Sequence, residues 1–308
     1  MTLFNTHELR PEIAAIVESD KLFTKLPTSL LSVSSDAKTV KGEKQGVLTG
    51  ILYLSPADMI SERLNLCPYA GIAGCKAGCL NTAGRGAFSN VQRARIRKTL
   101  FWKQYYNQFM ALLIKDIERL HRKADRENMK LAIRLNGTSD IQWEKANIKP
   151  GIMATLGLGK KIMAAIAQCD TFDTTIFDVF PGTQFYDYTK IPGRTVPANY
   201  HLTFSYSGVA EFQPVVEKQL RHNPRTNLAV VFNGKLPKSF NAWMFSQPWA
   251  GWRVERGLVA GMGTRTVING DDSDVRFNDA DGVVVGLTAK GKAKNEPFGF
   301  GHFTLKGA

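Results

Sequence analysis

The stretch Val47-Leu-Thr-Gly-Ile-Leu-Tyr-Leu-Ser-Pro56 decides the fold. Its eight mostly apolar residues, followed by serine and proline, predict a buried strand that ends in a turn. The same form returns in Leu131-Ala-Ile-Arg-Leu-Asn-Gly-Thr-Ser-Asp140 and in Leu228-Ala-Val-Val-Phe-Asn-Gly-Lys235. The chain is therefore expected to contain a series of buried strands, each with a polar exit.

Further β-rich runs extend this series, and helical stretches separate several of them. The further strands are expected at Thr175–Phe180, Phe185–Tyr188, Leu202–Phe204, Thr264–Ile268 and Val283–Leu287. Helices are expected at about Pro11–Ser19, Val91–Arg126, Met153–Gln168 and Val215–Arg221. This alternation predicts an α/β fold, a TIM-barrel-like or partial (β/α) barrel with its active site at the strand exits. An open doubly wound sheet is the alternative.

Length and composition set the class of protein. The chain has 308 residues, of which 44% are hydrophobic and 22% charged, as in ordinary globular proteins. We expect an N-terminal lead-in over residues 1–46, packed on a single barrel-like domain over 47–308. The sequence contains no run of ~18 apolar residues, so no membrane-spanning helix is predicted. The acidic start is unlike a secretory signal, so a cytoplasmic protein is expected.

Three of the four cysteines, Cys67, Cys75 and Cys79, lie within thirteen residues. Glycines stand between them and allow the backbone to fold back on itself. Three thiolates on one glycine-rich loop suit a soft metal, so these cysteines are the predicted metal ligands. The fourth, Cys169, follows a predicted helix and is expected to be a packed thiol.

The spacing of the cysteines bears on which metal they bind. The pattern C-x7-C-x3-C lacks the C-x2-C pair of common zinc sites, and no histidine lies between Leu54 and Lys103. Both features favour an iron–sulfur cluster with three cysteine ligands and one open position. Structural zinc stays as the alternative metal. Three buried thiols without a metal are the plainest alternative.

The charge of the chain favours anionic partners. Lys and Arg number 40 against 27 Asp and Glu, a formal net charge of +13. The stretch from Arg85 to Lys130 alone has a net charge of +8. Five cations just beyond the cysteines predict a surface for phosphate, DNA or RNA; they are Arg85, Arg93, Arg95, Arg97 and Lys98. A solvated helix face is the alternative.

Polar residues at the strand exits are the other candidates. Asp140 is a candidate general base, with helix capping as the alternative. Lys190 is a candidate for neutralising a nucleotide, and Asp271 for holding a hard cation such as Mg²⁺, with a turn role as its alternative. The candidate cofactor-binding residues are Asn136, Ser139, Ser205 and Asn233.

The run Cys67-Pro-Tyr-Ala-Gly, then Cys75, then Cys79-Leu-Asn-Thr-Ala-Gly-Arg-Gly86 resembles the bacteriophage gene product 88 family. Asn136–Asp140 and Tyr186–Lys190 are similar to its later signatures. The resemblance covers most of residues 47–290. It implies a phage or plasmid origin, and hence the cytoplasm of a host cell, more than it implies a chemistry.

The layout also resembles a radical S-adenosylmethionine enzyme, in which three cysteines after the first barrel strand bind a [4Fe–4S] cluster. That resemblance implies the cluster and S-adenosylmethionine as cofactors, although the usual spacing there is C-x3-C-x2-C. The first functional hypothesis is accordingly an iron–sulfur enzyme acting on a nucleotide or nucleic acid. The second is a zinc-stabilised protein that binds DNA or RNA without catalysis.

Overall fold

The computed structural model describes residues 1–34, 37–148, 174–241, 263–299 and 301–308. The predicted helix Met153–Gln168 and the predicted packed thiol of Cys169 lie outside these residues. The chain divides into two compact units. The first unit comprises Met1–Cys67, Ala87–Asp187 and Val196–His201, and the second comprises Pro68–Gly86, Tyr188–Thr195 and Leu202–Ala308.

Helices and strands alternate along much of the described chain, which confirms the predicted α/β class. The helices are α1 (Pro11–Ser19), α2 (Ala37–Glu43), α3 (Ser89–Gln104), α4 (Tyr106–Arg126), α5 (Ile176–Val179) and α6 (Gln213–His222). The strands are β1 (Leu31–Val33), β2 (Val47–Leu52), β3 (Lys130–Arg134), β4 (Gln184–Thr189), β5 (Tyr200–Ser205), β6 (Leu228–Asn233), β7 (Ser239–Asn241), β8 (Thr264–Asn269), β9 (Val284–Thr288) and β10 (Leu305–Lys306).

Strand β2 organises the sheet of the first unit. All six of its residues are buried, as the apolar run at Val47 predicts. It pairs in parallel with β3, with Val47 opposite Lys130, and β3 pairs in parallel with β4. The short strand β1 adds to the other side of β2 in the antiparallel sense, with Leu31 opposite Leu52.

Strand β6 has the same place in the second unit. It pairs in parallel with β5 and β9, and β10 lies parallel beside its last two residues. Beyond β9, the strand β8 is parallel and β7 is antiparallel. Because these strands are parallel, their carboxyl ends meet at one edge, where the exits of β5, β6 and β9 come together.

The predicted barrel is not confirmed. A TIM barrel is a closed ring of parallel strands. The described pairings instead leave an open order in each unit, with the antiparallel strands β1 and β7 at the edges. Antiparallel edge strands are common in open, otherwise parallel sheets. The open sheet, which is the alternative expectation, is what the described residues form.

Two predicted elements are wrong in detail. The single helix expected over Val91–Arg126 is two helices, because the backbone leaves helical geometry at Tyr105, where φ is −131° and ψ is 50°. The strand expected at Thr175–Phe180 is instead helix α5. Its start is stabilised by the Asp178 carboxylate, which accepts hydrogen bonds from the amide and the hydroxyl of Thr175.

Among the described residues, no helix is long and apolar enough to cross a membrane.

The N-terminal part of the first unit is held by hydrogen bonds to two charged side chains, Asp116 and Lys98. The Asp116 carboxylate accepts three hydrogen bonds from one segment, from the Ser29 hydroxyl and the amides of Leu30 and Leu31. The Lys98 ammonium donates to the Leu30 carbonyl at 2.6 Å. Burial lowers the pKa of Lys98 to about 8, while Asp116 acts to raise it.

The stability of the first unit is therefore expected to rise between pH 8 and pH 10.5. Below pH 8 the Lys98 amine is protonated in the folded and unfolded states, and the folded state bears the full cost of a buried charge. Between about 8 and 10.5 the folded state releases the proton while the unfolded state keeps it. The free energy of unfolding, relative to that of Lys98→Met, should grow by about 3 kcal/mol across this window in denaturant titrations. A pH-independent difference would contradict the assignment.

Candidate functional site

The loop Asn136–Asp140, which follows β3, lies tightly against the end of β2 in the first unit. The Gly137 amide donates to the Leu52 carbonyl at 3.0 Å, and the Thr138 hydroxyl donates to the Leu54 carbonyl. A Cβ on Gly137 would lie 2.6 Å from the Tyr53 ring and 2.8 Å from the Leu52 carbonyl oxygen. Only glycine fits at this close approach of two strand exits.

Cys67, the first of the three cysteines, packs against this loop. Its thiol donates to the Thr138 carbonyl oxygen at 3.7 Å. Beside it, the Leu66 carbonyl accepts a 2.7 Å hydrogen bond from the Asp140 amide. Cys67 is half-buried, and Asp140 is buried with 8% of its surface exposed. The first unit thus brings a predicted metal ligand and a predicted general base to the same strand exit.

Asn136 and Ser139, both predicted to bind a cofactor, shape the loop itself. The Asn136 side-chain oxygen accepts three hydrogen bonds, from the Ser139 hydroxyl (2.9 Å), the Ile141 amide (2.9 Å) and the Trp143 indole (3.2 Å). Its side-chain nitrogen donates to the Ile141 carbonyl at 2.9 Å. Such a saturated side chain positions a loop, so the role of Asn136 in this structure is to hold the exit in shape.

Asp187 is a functional candidate that sequence reasoning missed. It is 0% exposed, and its carboxylate accepts hydrogen bonds from the Leu135 amide (3.2 Å), the Asn136 amide (2.8 Å) and the Tyr200 hydroxyl (2.9 Å). The Arg134 side chain lies 3.7 Å away. The available signal was an acid placed between aromatic residues inside a predicted strand, since a buried carboxylate requires partners.

In the second unit, the segment that contains Cys75 and Cys79 packs on the exit of β5. We call this segment, Pro68–Gly86, the glycine segment. The Ser207 hydroxyl donates to the Ala73 carbonyl at 2.7 Å. A Cβ on Gly74, whose φ is +66°, would lie 3.0 Å from the Val209 side chain.

The glycine segment also packs on the exit of β9. A Cβ on Gly78 would lie 3.1 Å from the Ala293 side chain, in the short 3-10 helix Gly291–Lys294. A Cβ on Gly291 would lie 2.8 Å from the Ala83 side chain. Close backbone packing of this kind needs glycine on one side of each contact. The segment is therefore anchored over two strand exits of its own unit.

Cys75 and Cys79 are both half-buried within this segment. The Cys75 thiol donates to the Ala70 carbonyl at 3.8 Å and packs against the core that includes Phe212. The Cys79 sulfur accepts the Asn81 amide at 3.5 Å. None of the three described cysteines forms a disulfide. Across the described ranges, no group of three or more Cys, His, Asp or Glu is assembled for a metal ion.

Lys190, the candidate for neutralising a nucleotide, and Ser205, a candidate cofactor-binding residue, meet in the second unit. The Lys190 ammonium donates to the Ser205 carbonyl (3.0 Å), the Ser205 hydroxyl (2.9 Å) and the Tyr206 carbonyl (3.5 Å). It also lies 5.3 Å and 5.1 Å from the centres of the Phe212 and Phe303 rings. Through these contacts the Lys190 ammonium links the end of β4 to the end of β5.

The candidates Asp271 and Asn233 make contacts at the exits of β8 and β6. Asp271 pairs with the Lys290 ammonium at 2.8 Å, and its other oxygen accepts the Thr288 amide at 2.8 Å. The Asp271 carboxylate, which is predicted to bind a hard cation, is thus paired with the Lys290 ammonium. The Asn233 side chain donates to the Lys294 carbonyl at 3.2 Å, which joins the exit of β6 to the residues after β9.

Two of the predicted phosphate-binding cations contact the first unit itself. Arg93 pairs with Asp20 at 3.2 Å. Arg95 is buried, 7% exposed, and its guanidinium lies 5.0 Å from the centre of the Tyr53 ring. Each side chain therefore has a partner within the first unit, and Arg95 in addition is buried there.

Two more cations of this group bind backbone carbonyls. Arg97 donates to the Leu22 carbonyl at 3.0 Å, and burial lowers its pKa, while Asp20 acts to raise it. Lys98 donates to the Leu30 carbonyl. Arg85, which lies in the second unit, is the exposed member of the five. A run of basic residues does not distinguish cations that face solvent from those that hold an N-terminal segment.

Replacing Asn136 should destabilise the first unit. Asn136→Ala removes the acceptor shared by the Ser139, Ile141 and Trp143 donors, and at least one of them is then left buried without a partner. We expect a loss of about 3 kcal/mol in the free energy of unfolding, measured with denaturant. The exposed residue Asn278 supplies the control, since Asn278→Ala should change stability by less than about 0.5 kcal/mol. Equal effects of the two substitutions would refute this role.

The Lys190 contacts predict a structural effect as well. Lys190→Met keeps apolar contact with the Phe212 and Phe303 rings, but removes the ammonium that donates to the Ser205 and Tyr206 carbonyls. The melting temperature should fall, with a loss of about 2 kcal/mol in stability. Lys218→Met, on the exposed face of α6, is the matched control and should leave the melting temperature nearly unchanged. A stable Lys190→Met variant would mean that the ammonium is not a tie between the two exits.

Comparison with protein-family models matches residues 29–299 to one family, Gene product 88. No curated protein and no solved structure matches the chain. The matched range contains the three cysteines, the loop Asn136–Asp140 and Lys190, which carried the resemblance seen in the sequence. That resemblance is confirmed: the chain belongs to the Gene product 88 family.

Proposed function

We propose that Cys67, Cys75 and Cys79 bind a soft metal centre, in first place an iron–sulfur cluster, in an enzyme that acts on a nucleotide or nucleic acid. One observation carries the proposal. Three half-buried thiols, none of them in a disulfide, lie within thirteen residues of a glycine-rich stretch. Three thiolates are a ligand set suited to iron–sulfur chemistry.

The surroundings of the cysteines support this function. Cys67 lies against the loop after β3 in the first unit. Cys75 and Cys79 belong to a segment that packs on the exits of β5 and β9 in the second. In open α/β sheets, ligands bind at the carboxyl ends of the strands. Each unit therefore presents thiols at the end of its sheet where ligands are expected.

The described residues contain no assembled set of three ligands, so we propose that ligand assembly accompanies metal binding. Gly71, between Cys67 and Cys75, permits such a rearrangement, because unlike Gly74 and Gly78 it is not closely packed. Gly71 is exposed, and a Cβ there would meet no atom within 4 Å. A cluster with three thiolate ligands leaves one iron open, and S-adenosylmethionine bound there supplies one-electron chemistry.

The residues around the thiols would then have separate tasks. Asp140, buried beside Leu66 and Cys67, is the proposed proton acceptor, because it belongs to the loop that the Cys67 thiol contacts. Asn136 and Lys190 position the loops that follow β3 and β5, through the hydrogen bonds described above. These are positioning residues, since each is engaged by the protein itself.

Metal analysis of protein purified without oxygen tests the proposal. We expect iron and acid-labile sulfide with the broad visible absorption of an iron–sulfur cluster. Replacing any one of the three cysteines, as in Cys67→Ser, Cys75→Ser or Cys79→Ser, should lower the bound iron at least about ten-fold, because a ligand is lost. Cys169→Ser, outside the cysteine run, is the matched control and should keep the iron content of the unaltered protein.

Two other results would overturn parts of this proposal. Stoichiometric zinc without iron would replace the cluster by the zinc-stabilised alternative. Protein that contains no metal, even after anaerobic reconstitution with iron and sulfide, would remove the metal centre altogether.

A further inference from the structure

The second unit has a basic face that the proposed metal centre does not use. We define the basic rim as Lys76, Arg85, Lys235, Lys292 and Lys294, all of which are exposed. Two of these residues lie in the glycine segment, one follows β6 and two follow β9. The five are therefore distant in sequence, and no local pattern groups them.

Contacts within the second unit bring these three stretches together. Ala293, between Lys292 and Lys294, lies where a Cβ on Gly78 would approach it to 3.1 Å. The Lys294 carbonyl accepts the Asn233 side chain at 3.2 Å, two residues before Lys235. The rim thus surrounds the exits of β6 and β9.

The charge of this face is almost entirely positive. The glycine segment contains two basic residues and no acidic residue. Among residues 288–296 the acids comprise Glu296 alone, against three lysines. The nearby Asp271 is paired with Lys290 at 2.8 Å. Because exposed basic residues outnumber acidic residues in the stretches that form the rim, the face is complementary to a polyanion.

Exposed apolar side chains accompany these cations. Leu80 is 54% exposed and Phe298 is 49% exposed. The short helix that begins at Leu80 contacts the helix that carries Lys292. Phe298 bridges to Thr304, next to Phe303, and the Phe303 side chain lies 3.8 Å from a Cβ placed on Gly74. An aromatic ring is therefore available beside the rim.

We propose that the basic rim and Phe298 bind single-stranded nucleic acid. The cations neutralise phosphates, and an unpaired base stacks on the exposed Phe298 ring, a combination typical of single-strand binding. A duplex hides the faces of its bases, so the ring favours the single strand. As the substrate surface of the enzyme this inference rests on the proposed function, but the binding itself needs no metal.

Fluorescence anisotropy with a labelled oligothymidylate of about 20 nucleotides tests the charge contacts. The triple variant Arg85→Glu, Lys292→Glu and Lys294→Glu should bind at least about ten-fold more weakly. The slope of log affinity against log salt should fall by about 2, since each phosphate contact on a single strand contributes about 0.7. The control triple, Lys25→Glu, Lys115→Glu and Lys145→Glu, makes the same charge change on exposed residues of the first unit.

A second pair of variants tests the stacking contact without changing charge. Phe298→Ala should lower the affinity about five-fold or more, as expected for one lost stacked base. Phe88→Ala is the control, since Phe88 is 60% exposed in the first unit. Its affinity should remain that of the unaltered protein.

Several outcomes would overturn the inference. These are no binding by the unaltered protein at low salt, equal or tighter binding of the duplex, and equal losses in the test and control variants. The metal content of the same samples separates this inference from the proposed function. If the protein binds the oligonucleotide but contains no metal, only the proposed metal centre is refuted. If it contains metal but does not bind the oligonucleotide, only the proposed role of the basic rim is refuted.

Discussion

The path of the chain at the end of β3, in the first unit, depends on the hydrogen bonds that the buried Asp187 carboxylate accepts. They hold the amides of Leu135 and Asn136 where β3 ends, so the chain turns at a defined residue. The loop can then place Gly137 against Leu52 and present the carbonyl of Thr138 to the Cys67 thiol. A buried acid in one strand thereby determines the surroundings of a cysteine that is 120 residues earlier in the sequence.

Apolar runs were sufficient to predict most of the strands. β2, β3, β6 and β9 lie within a residue or two of the expected ranges, because buried parallel strands require continuous apolar sequence. β8 also lies near its expected range, although Arg265 alone of its six residues is buried. Thr175–Phe180 has the same composition but forms α5, where the Asp178 side chain caps the first turn. The closure of a sheet depends on strand pairing over long distances, which local patterns do not encode, so these runs do not distinguish a closed barrel from an open sheet.

The candidate site was predictable in its residue types and less so in their roles. Polar residues do gather at the strand exits, and Cys67 and Asp140 share one of them. Several candidates are nevertheless engaged by their own unit: Asn136 by three donors, and Lys190 by carbonyls and rings. Arg93, Arg97 and Lys98 contact the lead-in. Their partners, such as Asp20 and the Leu30 carbonyl, lie far away in sequence, so the local pattern of basic residues does not reveal them.

The polar exits have a chemical consequence for ageing of the protein. Three asparagine–glycine pairs lie at strand exits: Asn136-Gly137, Asn233-Gly234 and Asn269-Gly270. In such a pair the glycine amide nitrogen can attack the asparagine side-chain carbonyl, expel ammonia and form a cyclic imide. At the first and third pairs the attacking nitrogen is buried and its hydrogen is bound by a carbonyl, that of Leu52 and that of Gly286 respectively, so the reaction is suppressed. At the second, Gly234 is exposed with a φ of +101°. Stored protein should therefore deamidate first beside β6 and acquire a negative charge next to Lys294.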